Sequence, residues 1–267
     1  MIKLENYEVM GWEHAIRGMR NPMNSWAKSD SKLCRERATC DNCYFEGNVY
    51  GDKTTYPISC DEALGPAPKY SIGKNDHELM MKLANAGPVH GKFRRMITVY
   101  VDITAPLYWW KEFDTYKVGT VANSCSTMHK IHDKEFTLED FSREHLLGLV
   151  YPNDEWTVPY IDVSIDKDGT IIFSPTGVIE CIVIPMLNKC RKKYLETKDK
   201  KYWWQMIQLL PSSYNQKRTV QLNYEVLANI YTYRKNHKLD EWVEFCSWIE
   251  QLPYSEIITG EREKADE

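Results

Sequence analysis

"MITVYVDITAPLYWW" (Met96–Trp110) followed by "KEFDTYKVGTVANSCSTMHK" (Lys111–Lys130) is the stretch on which the fold turns. Residues 94–104 alternate in polarity and are rich in β-branched and aromatic types, the pattern of a strand with one face turned to a core. The second segment is dense in Thr, Ser, Asn and Lys. Hydroxyls and amides crowded beside a strand either bind a ligand or form an ordinary surface loop.

Working outward, the chain has 267 residues, 43% apolar and 12% aromatic, enough to bury a sizeable core. There are 34 basic and 38 acidic residues, a formal net charge of −4. That balance gives no electrostatic footprint for nucleic acid, although it leaves room for a local basic pocket, and no polymeric nucleic acid is expected as a partner. No apolar run approaches the roughly 20 residues of a membrane helix, and the first residues lack the apolar core of a secretory signal. Eight cysteines without such a signal suit a reducing compartment, so a cytoplasmic protein is expected.

Helical spacing predicts helices over 8–20 (Trp12, Ala15, Ile16, Met19), after Asn75 with Glu78 as its capping box, after Thr137 with Asp140, over most of 178–209, and over 222–251 as one long amphipathic element. Asn21-Pro22 and Gly87 are read as stops. "YIDVSIDKDGTIIFS" reads as a hairpin turning at Asp166–Gly169. Its "DKDG" mimics a calcium loop, but Pro175 occupies the position where such a loop needs glutamate, and the flanks are strands. The tail "GEREKADE" reads as frayed.

Residues 29–70 change character and hold four of the eight cysteines, a Cys-rich loop insertion. Cys40-x-x-Cys43 with Cys34 and Cys60 is either a zinc set or four free thiols; a second clean C-x-x-C pair is missing. The histidines show no H-x-x-x-H or H-E-x-x-H spacing. No G-x-S-x-G elbow, P-loop or G-x-G-x-x-G is present, so serine hydrolysis and the usual phosphate cradles are unsupported.

A second polar cluster lies in "LLPSSYNQKRTVQLNYEVLANIYTYRKNHKLDEW" (Leu209–Trp242). If Asn223, Asn229 and Arg234 share a straight helix, Asn223 and Arg234 differ by about 20° and point the same way, while Asn229 turns off that stripe. Each alone is most simply a solvated side chain.

Together, the two clusters resemble the flavin-dependent thymidylate synthases, the thymidylate-synthase-complementing (ThyX) family. "AGPVHGKF" (Ala86–Phe93) looks like the family's His-containing segment. "ITAPLYWWKEFDTYKVGT" looks like the strand leading into its R-H-R-x-x-S motif, here Thr115-Tyr116-Lys117-Val118-Gly119-Thr120. Asn123-x-x-Ser126 matches the family's next motif, N-x-x-S. "LLPSSYNQKRT" is similar to the Leu-Pro segment with a substrate-binding arginine, Arg218 or the adjacent Lys217. "NYEVLANIYTYR" matches the helix that contacts flavin through amides and uracil through arginine.

The resemblance implies one domain over 1–267, an α/β (α+β) fold with a mostly antiparallel central sheet and long flanking helices. It implies a cytoplasmic flavoprotein of nucleotide biosynthesis, a homotetramer with sites at subunit interfaces and no membrane association. The activity implied is that of a methyltransferase on dUMP or a related pyrimidine nucleotide, with FAD, NADPH and methylenetetrahydrofolate. Arg234 would polarise the base; Glu112, Thr120, Ser126 and Arg218 would contact substrate. His90, Thr115, Tyr116, Lys117, Asn123, Asn223 and Asn229 would contact cofactor, with Trp109, Trp110 or Tyr116 available to stack on a ring or, more simply for the tryptophans, to fill core. The departures are specific. Arginines become Thr115 and Lys117, the histidine becomes Tyr116, the serine becomes Thr120, the upstream glutamine maps to Glu112, and the arginine after N-x-x-S becomes Met128. The alternative is a protein of the same fold that binds a nucleotide or a protein partner without synthase activity.

Overall fold

The structure is a computed structural model that describes residues 2–34, 69–146, 161–164, 170–173 and 175–260. Its centre is a four-stranded antiparallel sheet in the order β1 (Lys3–Met10), β4 (Thr98–Pro106), β8 (Asn215–Asn223), β5 (Val121–Ser124). Two small antiparallel pairs stand apart from it: β2 (Lys32–Cys34) with β3 (Lys69–Ser71), and β6 (Ile161–Ser164) with β7 (Thr170–Phe173). β6 and β7 are the arms of the expected hairpin. β2–β3 closes the base of the Cys-rich insertion, pairing Cys34 with Lys69 by backbone. Cys40, Cys43, Cys60 and the side chain of Cys34 lie outside the described residues, as do the hairpin turn and the tail. No group of residues suited to hold a metal occurs among the described residues. Among them, too, no helix is long and apolar enough to cross a membrane.

The chain divides into two compact units. The first comprises Met1–Asn6, Val101–Lys117 and Ala122–Val220. It holds α3 (Leu107–Phe113), α4 (Pro175–Val178), α5 (Ile184–Thr197) and α6 (Lys200–Leu209). Between α4 and α5 the helix widens to a π turn at Ile179–Val183. Pro185 explains the widening: it has no N–H to give to the carbonyl four residues back. Ile131, Phe136, Phe141, Leu187 and Met206 form one apolar cluster here. Trp109, Trp110 and Phe113 are also buried. The two tryptophans are therefore core rather than ligand-stacking rings. The expected helix after Thr137 shrinks to one 3-10 turn, Leu138–Asp140, although the Thr137–Asp140 capping box is formed.

The second unit comprises Tyr7–Tyr100, Val118–Val121 and Gln221–Glu267. It holds α1 (Trp12–Arg20), α2 (Lys74–Asn85), α7 (Tyr224–Arg234), α8 (Asp240–Glu250) and α9 (Glu256–Thr259). The four apolar residues read as one face of α1 are all buried. Gly11 joins β1 to α1 at φ +96, where a Cβ would lie 2.1 Å from the Met96 carbonyl oxygen, so only glycine fits. Three readings are corrected here. The segment 8–20 starts as the end of strand β1. The start of α2 is capped by Asp30, whose carboxylate accepts from the Asn75 and Asp76 amides (2.9 and 3.1 Å), not by Asn75. The long helix over 222–251 is two helices broken at 235–239, with Asn223 the N-cap of the first.

Candidate functional site

In the first unit the site residues gather on β8. Successive strand residues point to opposite faces. Gln216 and Arg218 share one face; Lys217 and Thr219 share the other. The Arg218 guanidinium lies 4.1 Å from the Trp110 ring centre, a cation–π stack on a buried indole. Its Nε donates to Gln216 Oε1 (3.0 Å) and its Nη1 to Asp114 Oδ1 (2.7 Å). Trp110 Nε1 donates to the Gln216 carbonyl (2.9 Å), and Gln216 Nε2 to the Cys125 carbonyl (2.9 Å). The arginine is thus held by α3, β8 and the end of β5, with a side chain only 15% exposed.

Lys217 has a different environment. Its Nζ lies 3.2 Å from Asp102 and 3.5 Å from Glu5. Asp102 also accepts from Thr219 Oγ1 (2.6 Å) and Asn6 Nδ2 (3.0 Å). The Thr219 hydroxyl first, then Asn6 and Lys217, bring its carboxyl down to about 2. Of the two cations, Lys217 is tied to Asp102 and Glu5 on one face of β8, and Arg218 to Asp114 on the other, with its guanidinium stacked on Trp110.

The polar stretch after α3 is largely surface. The Thr115 hydroxyl donates to the Glu112 carbonyl (2.7 Å) and closes the helix end. Thr115 and Lys117 are exposed, and Glu112 and Tyr116 are half-buried. Asn123 is exposed on β5. Ser126 Oγ accepts from the Met128 and His129 amides (3.2 and 2.8 Å), building its own turn.

In the second unit the cluster forms around the start of α7. Asn223 Oδ1 accepts from the Val226 amide (3.0 Å), so this amide caps the helix. Gly119, at φ +81, packs beside it: a Cβ there would lie 3.0 Å from Asn223 Nδ2 and 3.1 Å from Val226 Cγ2. Thr120 Oγ1 is buried and has no hydrogen-bond partner among the described residues. The Arg94 guanidinium fastens α7 from below, with Nη2 2.7 Å from Glu225 Oε2. At the other end, Arg234 lies 4.7 Å over the Trp242 ring, and its Nη1 is 2.8 Å from His237 Nε2. Asn229 is exposed, off the stripe of Asn223 and Arg234 as the helical angle requires. His90 is exposed at a turn, its amide donating to the Gly87 carbonyl (3.1 Å); it joins neither cluster's hydrogen bonds.

The two sets belong to different units: Arg218 with Glu112, Thr115, Tyr116, Lys117, Asn123 and Ser126 in one, and Asn223 with Thr120, Asn229 and Arg234 in the other. Sequence reasoning missed Asp114, Gln216, Trp242 and His237, which support the two arginines. Asp114 and Trp110 are four apart, one turn of helix, which was a usable signal for the first. Among the described cysteines, Cys246 is pushed up to about 12 by burial and then by Glu250, and burial also raises Cys190. Neither is a ready thiolate.

No family model matches the chain, and no curated protein sequence matches it. Among solved structures it is similar over its whole length to the thymidylate synthase ThyX from Helicobacter pylori with FAD and dUMP: TM-score 0.55, 14% identity, covering 98% of this chain and 97% of that one. A second structure of the flavin-dependent enzyme from the same organism, also complexed with FAD and dUMP, gives TM-score 0.53 and 14% identity, with 97% of each chain covered. Likeness at that identity is likeness of fold.

Proposed function

We propose that the chain is a flavin-dependent, thymidylate-synthase-like enzyme acting on a pyrimidine nucleotide. The observation that carries this reading is the end-to-end likeness of fold to two structures holding FAD and dUMP, joined to the order of polar motifs along the chain. Arg234 is assigned to the base. Its charge would stabilise the negative charge that develops on a pyrimidine oxygen as C5 becomes nucleophilic, and Trp242 and His237 fix where that charge sits. Arg218 is assigned to a phosphate oxygen, with Trp110 and Gln216 orienting its fork. Thr120 and Ser126 are assigned to substrate, as is Glu112.

The residues of the second unit fit a flavin. Asn229 carries an exposed amide, and the lack of a Cβ at Gly119 lets the backbone pack against the Asn223 amide, whose Nδ2 would lie 3.0 Å from such a Cβ. Asn223 and Asn229 are assigned to it; His90, Thr115, Tyr116, Lys117 and Asn123 are assigned to it by the order of motifs along the chain alone. When bound, the flavin supplies hydride chemistry; NADPH is the proposed reductant and methylenetetrahydrofolate the proposed carbon donor. A cytoplasmic homotetramer is part of the same reading, and so is zinc on Cys34, Cys40, Cys43 and Cys60 as a separate structural element. The test is purification followed by FAD reconstitution. The absorbance of oxidised, bound flavin is expected; a colourless protein that takes up no FAD sinks the reading.

One observation favours a second reading, a nucleotide-binding protein of this fold without synthase activity. Arg218 is engaged by Asp114, and Thr115 and Lys117, at the positions of two family arginines, are a neutral residue and an exposed lysine. Binding of dUMP without release of its C5 hydrogen under reducing conditions with folate present selects this reading.

A further inference from the structure

The net charge of −4 hides a local excess of the opposite sign. From Lys189 to Lys201 the chain carries seven basic and two acidic residues. They sit on the hairpin of α5 and α6, turned at Lys198 in the left-handed conformation. The two acids are already paired, Glu196 with Lys193 (3.1 Å) and Asp199 with Lys201 (2.9 Å). Arg191 is also occupied: it donates to the His132 and Asp133 carbonyls (2.9 and 3.2 Å). Lys189, Lys192, Lys198 and Lys200 have no acidic partner among the described residues.

Aromatic rings are interleaved with these lysines. Lys198 lies 5.8 Å from the Tyr194 ring, and Lys200 lies 6.0 and 5.7 Å from the Trp203 and Trp204 rings. The Trp203 indole donates to the Met128 carbonyl (2.8 Å) and is fixed. Trp204 is 45% exposed and presents a ring face to solvent beside Lys200. A groove of about 570 Å³ is lined by Asn188, Lys189, Arg191, Lys192 and Leu195 together with Glu135 and Glu196. The two carboxylates are paired within the protein, Glu135 with Arg191 (3.7 Å) and Glu196 with Lys193 (3.1 Å).

We propose that this hairpin binds single-stranded nucleic acid, with the four lysines on successive phosphates and Trp204 stacking on a base. Lysines that neutralise a backbone beside an exposed π-face are the two elements such binding needs. A bilayer surface fits less well, because it requires one continuous apolar face. The exposed apolar residues are scattered: Met186 and Leu195 fall about 180° apart on α5, and Trp204 and Leu209 about 140° apart on α6. An acidic peptide would use the lysines but leave Trp204 without a role. None of the four lysines nor Trp204 is among the residues assigned to flavin and nucleotide, and the test below reads oligonucleotide binding directly, so the proposal stands or falls separately from that reading.

The test is fluorescence anisotropy of a labelled oligo(dT) titrated with the full-length protein. Binding at low salt is expected, with a log–log salt slope of about −3 for four phosphates neutralised. Lys189→Glu with Lys192→Glu, and Lys198→Glu with Lys200→Glu, should each weaken binding about tenfold or more; Trp204→Ala should weaken it about tenfold and Trp204→Phe much less. All five positions are exposed, and unchanged thermal unfolding and unchanged FAD uptake are expected in each variant. The proposal is overturned if the wild type does not bind, if the salt slope is near zero, or if the variants bind as the wild type does. Equal binding to polyglutamate, or preference for vesicles rich in anionic lipid, overturns it as well.

Discussion

Two arginines in this chain rest on tryptophan faces, and the side chains that meet their Nη1 atoms differ. Arg218 stands 4.1 Å from Trp110 with the Asp114 carboxylate 2.7 Å from its Nη1. Arg234 stands 4.7 Å from Trp242 with the His237 imidazole 2.8 Å from its Nη1. The stacking holds each guanidinium in one plane. Each neighbour fixes one nitrogen of the fork: Asp114 accepts from Arg218 Nη1 and competes with an anionic ligand there, and His237 meets Arg234 Nη1. On the proposed reading, a phosphate must win Arg218 from Asp114, whereas Arg234 meets the base with its plane set by Trp242 and His237.

The largest effect breaks the shared part of the comparison. Trp110→Ala and Trp242→Ala each remove a ring that is 0% exposed. Each should cost about 3–5 kcal/mol of stability, read as a shift in the urea unfolding midpoint. A loss below about 1 kcal/mol, as for a surface residue, would show that the ring is not the arginine's floor. Next comes Arg234→Ala. Loss of a charged hydrogen bond to a ligand oxygen is worth about 1.5–3 kcal/mol, so dUMP affinity measured by calorimetry should fall at least tenfold. Unchanged affinity removes Arg234 from the site.

The third experiment sharpens the difference between the two settings. Asp114→Asn removes the competing charge and should strengthen binding of a phosphate-bearing ligand several-fold. Its stability cost should stay within about 1 kcal/mol, because Asp114 is 51% exposed. Weaker binding after this change would mean that Asp114 positions Arg218 rather than competes for it.

How far the sequence reached is explained by the same contrast. Where burial keeps a period, the reading held for the four apolar residues of α1, for the helices within 178–209, and for β4 from Thr98 onward, residues 94–96 instead closing a 3-10 turn. The arms of the hairpin β6–β7 also pair as read. Strand β1, "KLENYEVM", is mostly exposed and so carries no period to read. The cap of α2 comes from Asp30, 45 residues before the amide it accepts from, and no local motif can announce a partner that distant. The break at 235–239 was hidden because the apolar face resumes in α8 after a short turn. At the candidate site, Arg218 and Arg234 were legible as residue types in order. Their supports were not, because Gln216 and His237 act through three-dimensional contacts that spacing alone does not encode.

The smallest effect concerns the proposal that Arg218 rather than Lys217 meets the phosphate. Lys217 faces Asp102, whose carboxyl is brought from 3.8 to about 2 by the Thr219 hydroxyl, then Asn6 and Lys217. A carboxyl depressed on folding stabilises the folded state above its unfolded value. That contribution fades as pH falls from about 3.8 toward 2. Asp102→Asn should therefore flatten the acid limb of the stability profile over that interval, with thermal unfolding at each pH as the readout. Lys217→Ala should flatten it less, because Thr219 and Asn6 remain, and should leave dUMP affinity near that of the wild type. If Lys217→Ala instead weakens nucleotide binding more than Arg218→Ala does, the assignment of the two faces of β8 is reversed, and the lysine rather than the stacked arginine meets the phosphate.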